Sequence, residues 1–266
     1  MWFIIIIVVA VIFAIKDVRI HPKLFDVQGN KSEQAVAQVL DIDSKAKQSG
    51  KILTNIYVPK STGDTSEIDV LYITRKGLIV VEDKDYSGYI FGSELNANWT
   101  ETLYYKKKHY GIGRVEKYQF HNPIWQNYNH IKYLQEYLEL DIKAFSVITF
   151  SNRGDLKNIS ISSPNVFVCN HSGLPVVLNR IWDNNPDIFT DLQIVELYSK
   201  LLPLTKVDME VHQKHIEAIH DRFSNTSICP VCGKNLVLRT IKKGKNAGKQ
   251  MYGCSNYPKC KYVKKL

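Results

Sequence analysis

Gly77-Leu78-Ile79-Val80-Val81-Glu82-Asp83-Lys84 decides how this chain reads. Four apolar residues follow a glycine and run straight into charge, the pattern of a buried strand that ends at a polar site. Side chains alternate along a strand, so Glu82 and Lys84 point the same way. Asp69 sits on the preceding extended segment, with twelve residues between it and Glu82. That is a hairpin's length, and it can bring the two carboxylates side by side. Two carboxylates on one face repel unless a hard divalent cation lies between them. A neighbouring lysine could then orient or help deprotonate a water and offset charge on a phosphate, which are the parts of metal-assisted phosphodiester hydrolysis. A surface hairpin in which Lys84 pairs with Asp69 or Glu82 satisfies the same spacing.

Working outward, the pattern predicts a helix from Asn30 to about Gln48, with Val36, Val39 and Leu40 on its apolar side. Strands follow at 52–58, 67–73 and 78–84, and further extended pieces near 89–91 and 102–107. Asn122 reads as an N-cap, with Pro123 at the first position of a second helix running to about Leu138. Strands at 145–150 and 165–169 and helices at 174–181 and 191–201 complete the list. The order α-β-β-β-α-β implies an α/β core with a mixed sheet. On the second helix Gln126, His130 and Tyr133 form one polar stripe, opposite Ile124, Tyr128, Ile131 and Leu138. That stripe is either a solvated face or a contact with water, metal or DNA backbone. Glu33 lies at the edge of the first helix's apolar side and can look inward. Asn30-x-x-Glu33 is equally a capping-box spacing. Cys169, at a strand end, reads as core rather than as a nucleophile.

Residues 1–15 contain no charged or strongly polar side chain. As a helix they span about 22 Å, against a hydrocarbon core of about 30 Å. Nothing basic precedes the run, no small-residue cleavage site follows it, and Lys16, Arg19 and Lys23 lie on its C-terminal side. The expectation is a single-pass anchor (1–15) with a juxtamembrane linker (16–27) and the bulk of the chain on the cytoplasmic side of the membrane. A buried first strand or core helix is the other use of such a run.

At the other end stand Cys229-x2-Cys232 and Cys254-x5-Cys260, with 21 residues between the pairs. Paired thiolates at this spacing are a tetrahedral Zn²⁺ site on a ribbon. The fifth cysteine, Cys169, has no sequence neighbour to pair with, and a cytoplasmic location disfavours disulfides. From Cys229 to Leu266 the chain carries one Arg and nine Lys with no Asp or Glu. This segment therefore holds +10 against +9 for the whole protein, and residues 1–228 sum to −1. Its partner should be a polyanion. Lys242, Lys243, Lys245, Lys249, Lys259 and Lys261 supply cations for phosphates, and Tyr252, Tyr257 and Tyr262 supply rings that could stack on bases. The tyrosines would serve equally as a tiny core. The three His at 212, 215 and 220 lie on a polar helix (206–228) and present no clean ligand face.

Two resemblances follow from these residues. Cys229-Pro-Val-Cys232-Gly-Lys and Tyr252-Gly-Cys254-Ser-Asn-Tyr-Pro-Lys-Cys260-Lys-Tyr262 resemble the C-terminal zinc finger of bacterial type I topoisomerases. The pattern Asp-x12-Glu-x-Lys resembles the PD-(D/E)xK nuclease core. Gly29-x3-Glu33, 52–59, Glu67-Ile-Asp69, 77–84, Tyr86-Ser-Gly88, Trp99 and Asn122-Pro-x2-Gln126 narrow it to the nuclease-related domain (NERD) family over residues 28–140. The resemblance implies a restriction-endonuclease-like α/β domain over 28–205, joined to the zinc ribbon at 229–266. It also implies an N-terminal transmembrane helix. Asp69 and Glu82 would be ligands to Mg²⁺ or Mn²⁺, Lys84 the catalytic cation, and Glu33 and Gln126 the first-helix and second-helix site residues. Ser32 departs from the glycine the family carries before its helix acid. The finger implies binding of DNA, chiefly single-stranded, although nothing in the sequence separates DNA from RNA. The function so implied is a membrane-anchored, Mg²⁺-dependent nuclease. A DNA-binding tether without catalysis keeps the same fold.

Overall fold

The computed structural model describes residues 31–105, 114–205, 228–229, 234–242, 246–258, 260 and 262–265. The expected anchor at 1–15, the linker at 16–27 and nearly all of the connecting helix lie outside these residues. So do Cys232, Lys243, Lys245, Lys259 and Lys261. No helix among the described residues is long and apolar enough to cross a membrane.

The expected core order is present. Helix α1 (Lys31–Lys47) leads into the antiparallel strands β1 (Lys51–Pro59), β2 (Thr65–Thr74) and β3 (Gly77–Lys84). Helix α2 (Pro123–Leu138) and strand β7 (Ala144–Phe150) come later, and β7 lies parallel to β3. Strand β9 (Val166–Asn170) pairs parallel to β7 and closes a mixed five-stranded sheet of order β1-β2-β3-β7-β9. Two further helices, α3 (Leu174–Asn184) and α4 (Asp191–Leu201), follow.

Both faces of the sheet are covered, which explains the unbroken apolar run of β3. Leu78 and Val80 pack with Leu134 and Leu138 of α2 and Ile194 and Leu197 of α4. Ile79 and Val81 pack on the other side with Val36 and Leu40 of α1 and Leu174 and Leu178 of α3. Each such side chain, fully buried, contributes about 1.5–3 kcal/mol. The turn into β3 uses Gly77 at φ 127, where a Cβ would stand 2.4 Å from the Lys143 carbonyl oxygen. The N-cap expected of Asn122 is there: its side-chain oxygen accepts from the Ile124 N–H at 2.9 Å. Its Nδ2 donates to the carbonyls of Ser93, Glu94 and Asn96, so one residue starts α2 and ties down the loop before it.

The largest departure from expectation is a second sheet. Strands β4 (Tyr89–Ser93), β5 (Asn98–Tyr105), β6 (Arg114–His121) and β8 (Asp155–Ser160) form a four-stranded sheet of order β6-β5-β4-β8. Only two pieces of it were expected, at 89–91 and 102–107. Its inner face carries Ile90, Trp99 and Phe120 against Ile148 and Phe150 of the main sheet. Trp99 lies flat over Gly92, where any Cβ would stand 2.0 Å from the indole. Three of its strands, β4 to β6, form the connection between Lys84 and Asn122.

Candidate active site and zinc ribbon

The charged end of β3 meets α2 and a defect in the β1–β2 ladder. Asn55 takes a left-handed backbone at φ 50, and the Asn55–Asp69 pair drops out of an otherwise continuous register. The face each strand buries switches there. Leu53 and Ile56 share one core, as do Ile68 and Leu71, although strict alternation would separate them. Asparagine tolerates this conformation at low cost. The defect thus re-aims Asp69 beside β3, where its Oδ2 accepts from the Asp83 backbone N–H at 2.8 Å.

Glu82 is 1% exposed. Lys84 Nζ donates to Glu82 Oε1 at 2.5 Å and to Gln126 Oε1 at 3.2 Å. His130, one turn along α2, places Nε2 3.2 Å from Glu82 Oε2 and meets Ser66 Oγ through Nδ1 at 2.7 Å. The His130–Glu82 contact is close but poorly aligned. Glu82 Oε2 and His130 Nε2 are both buried without a well-formed hydrogen bond. The stripe Gln126–His130 therefore faces the charged end of the sheet rather than solvent. Tyr128, expected on the apolar side, is 66% exposed, and Asn127 takes the buried position instead. Glu33 lies near enough to Asp69 and Tyr57 for its charge to act on both. Asn30 is outside the described residues, so the capping-box alternative lies there too.

The protonation preferences follow from this arrangement. Burial, and then the neighbouring Glu82 charge, raise the Asp69 carboxyl well above the ordinary aspartate value. Burial would also raise Glu82, but the Lys84 ammonium and His130 outweigh it and hold Glu82 below the ordinary value. Burial alone would lower Lys84, and Glu82 and then Asp69 reverse that and raise it. Lys84 is thus a fixed ammonium, which orients and stabilises charge.

Asp83 and Asp85 do not surround Lys84. Alternation turns Asp83 to the opposite face, where its Oδ1 meets Thr149 Oγ1 and His171 Nε2, each at 2.7 Å. Ser32 Oγ stands 3.5 Å from the same imidazole nitrogen. The serine in the family's glycine position thus joins a buried polar network behind the site. Asp85 pairs outward with Arg153 at 2.7 Å. Cys169 behaves as core, its thiol pushed up to about 12 by burial.

The fit to a hard cation is good in chemistry and sparse in number. Asp69 and Glu82 offer oxygen ligands, and Glu82 Oε2 is a buried acceptor with no aligned donor. Mg²⁺ takes one or two carboxylates and keeps several waters, so two ligands are enough.

In the ribbon, β10 (Leu236–Thr240), β11 (Gln250–Cys254) and β12 (Val263–Lys265) form an antiparallel sheet. Cys229, Cys254 and Cys260 bring their sulfurs within 4.8 Å of one another, all buried. Among the described residues no other group of three His, Cys, Asp or Glu does so. The Cys229–Cys260 sulfur separation is 3.7 Å. Zn–S bonds of about 2.3 Å place tetrahedral ligands about 3.8 Å apart, whereas a disulfide needs about 2.05 Å. The donor set fits zinc. Tyr252 and Tyr262 lean on the cysteine cluster and do part of the packing. Tyr257 is 61% exposed, with the Arg239 guanidinium 5.9 Å from its ring centre. Lys242 and Lys249 are exposed.

Comparison with known proteins agrees with both halves. An uncharacterized protein of Bacillus anthracis is 29% identical over 198 residues, covering 74% of this chain and 86% of its own. No solved structure matches the chain. The nuclease-related domain family matches residues 28–151, and the topoisomerase DNA binding C4 zinc finger matches 226–266. The chain therefore joins a nuclease-related domain to a topoisomerase-type C4 zinc ribbon.

Proposed function

We propose that this protein is a metal-dependent nuclease that hydrolyses DNA phosphodiester bonds, held at the membrane by residues 1–15. The observation that carries the reading is the partly buried Asp69 carboxyl set beside the buried Glu82, with the Lys84 ammonium bonded to Glu82. A purely structural role gives no reason to desolvate two carboxylates together and raise one of them.

Asp69 and Glu82 would hold the cation, with Glu33 close enough to add charge. Mg²⁺ or Mn²⁺ bound there would polarise a phosphate oxygen and lower the pKa of a water. An ammonium has three donors, and Glu82 and Gln126 take two of those of Lys84, leaving one for a phosphate oxygen. Gln126 keeps that third N–H aimed, and Ser66 holds His130 beside the far oxygen of Glu82. The ribbon would hold the strand through lysine–phosphate contacts and Tyr257.

The test is cleavage by a chain lacking residues 1–20, with Mg²⁺ or Mn²⁺, on single-stranded, duplex and branched DNA. Cutting that disappears in both Asp69→Ala and Lys84→Ala supports the reading. Tight binding with no metal-dependent cutting on any substrate replaces it with a DNA tether. In parallel, removing residues 1–20 should release the protein from membranes.

A further inference from the structure

The four-stranded sheet has an outer face that the core does not use. Directly opposed residues share a face, so Tyr89, Thr102 and Lys117 form one row across β4, β5 and β6. Phe91 and Tyr104 lie two residues along their strands from this row, on the same side. Tyr89, Phe91 and Tyr104 are 37%, 38% and 62% exposed. The rings of Tyr89 and Tyr104 meet edge to face, with centres 5.1 Å apart. Lys157 of β8, tied to Asp155 at 2.6 Å, holds its ammonium 4.8 Å from the Tyr89 ring centre. Three exposed rings on one sheet face are costly in water, and nothing within the described chain covers them.

Charge selects the occupant. By sequence, residues 102–118 hold five Lys or Arg and one Glu, a net +4 where residues 1–228 as a whole sum to −1; Lys106, Lys107 and Lys108 among them lie outside the described residues. Exposed rings with Lys117 and Lys157 beside them on one sheet face match the π-faces and phosphates of unpaired nucleotides. A protein partner would favour an apolar patch without this excess, and a duplex hides the faces of its bases.

We propose that the outer face of this sheet, with Tyr89, Phe91, Tyr104, Lys117 and Lys157, binds single-stranded polynucleotide by base stacking. It is a second site, separate from the ribbon, and it does not depend on cleavage. The site adjoins the proposed active site through the chain itself, because β4 follows Lys84 after a short turn. That turn is held by Glu101 Oε1, which accepts from the N–H groups of Ser87 and Gly88.

The test is fluorescence anisotropy on the full zinc-loaded chain without added Mg²⁺. The probes are an oligothymidylate of about 30 nucleotides, long enough for two sites of the usual ~4–16, and a duplex of equal length. Tyr104→Ala and Tyr89→Ala should each weaken single-strand binding by about five- to a hundredfold. Tyr104→Phe should retain it, and duplex binding should not change. Lys117→Gln, which removes one phosphate contact, should lower the salt slope by about one. Three results would overturn the proposal: alanine variants that bind the oligothymidylate normally, equal loss on single strand and duplex, or a dimer that Tyr104→Ala dissolves without any effect on DNA. The assay contains no added Mg²⁺ and reads binding rather than cleavage, so failure of the nuclease reading would leave this site standing.

Discussion

The nuclease-related domain and the zinc ribbon solve the same problem by opposite means. The domain hides aliphatic side chains on both faces of its main sheet and uses the surplus stability to bury a charged site at one edge. Among its described residues the ribbon has one buried aliphatic side chain, Leu236, beside Cys229, Cys254 and Cys260. In the first, the charged site is something the fold carries at a cost. In the second, the metal site is what makes the fold. Removing metal should therefore unfold the ribbon and leave the domain folded.

Zinc removal gives the largest effect. Structural zinc contributes about 10–16 kcal/mol of apparent folding free energy in small modules. A chelator, or Cys254→Ser, should unfold residues 229–266 and leave the α/β domain's melting transition in place. Hydrogen exchange read separately over the two regions checks this, and a ribbon that keeps its protection without zinc breaks the comparison.

Lys84→Ala comes next. It removes the fixed positive charge beside Glu82 and should lower cleavage by about 10²–10³-fold, the usual cost of losing one preorganised charge stabiliser. Affinity for Mn²⁺ should hold or rise, because the lysine competes for Glu82. Loss of Mn²⁺ binding in this variant would mean that Lys84 shapes the site rather than acting in it.

Asp69→Asn sharpens the idea of a site carried at a cost. The folded Asp69 carboxyl titrates above its unfolded value, so its stabilising share is full below the ordinary aspartate value. That share is lost as pH rises through the raised value. At neutral pH the charge is a burden. The asparagine, which keeps an acceptor for the Asp83 N–H, should stabilise the Mg²⁺-free domain by about 1 kcal/mol, roughly 2–4 °C in Tm. A lower Tm would count against the reading.

The smallest effect concerns the second sheet. Burial would raise Glu94, but bonds from the side chains and backbone of Ser162 and Ser163 bring it down to about 2. Its contribution is present above the unfolded glutamate value and fades as pH falls from there toward 2. Solvent screening keeps it to about 1 kcal/mol or less. Urea midpoints of Glu94→Gln and the parent should differ at pH 7, and the difference should close as pH falls to 2 and below.

The succession of elements along the chain and the closeness of Asp69, Glu82 and Lys84 were legible in the sequence because they rest on local signals: a glycine turn, an apolar run, and alternation along one strand. The second sheet was not. Arg114-Val-Glu-Lys-Tyr-Gln-Phe-His121 is polar on both faces over much of its length, and β8 joins β4 from some sixty residues away. No window on either strand contains the partner that makes it a strand. His130 was underweighted for a related reason. A polar stripe on a helix reads as solvent-facing unless one knows that the sheet beneath it ends in charge. Asn55, in the middle of a strand, was the one visible sign of the ladder defect that aims Asp69, since asparagine there favours a left-handed backbone.

The most direct measurement is a calorimetric titration of Mn²⁺ into the zinc-loaded chain lacking residues 1–20, beside Asp69→Asn and Glu82→Gln. The account predicts Mn²⁺ binding in the parent that tightens as pH rises and is lost in both variants. A parent that takes up no Mn²⁺ beyond its zinc, or variants that bind it unchanged, would contradict a cation site at Asp69 and Glu82.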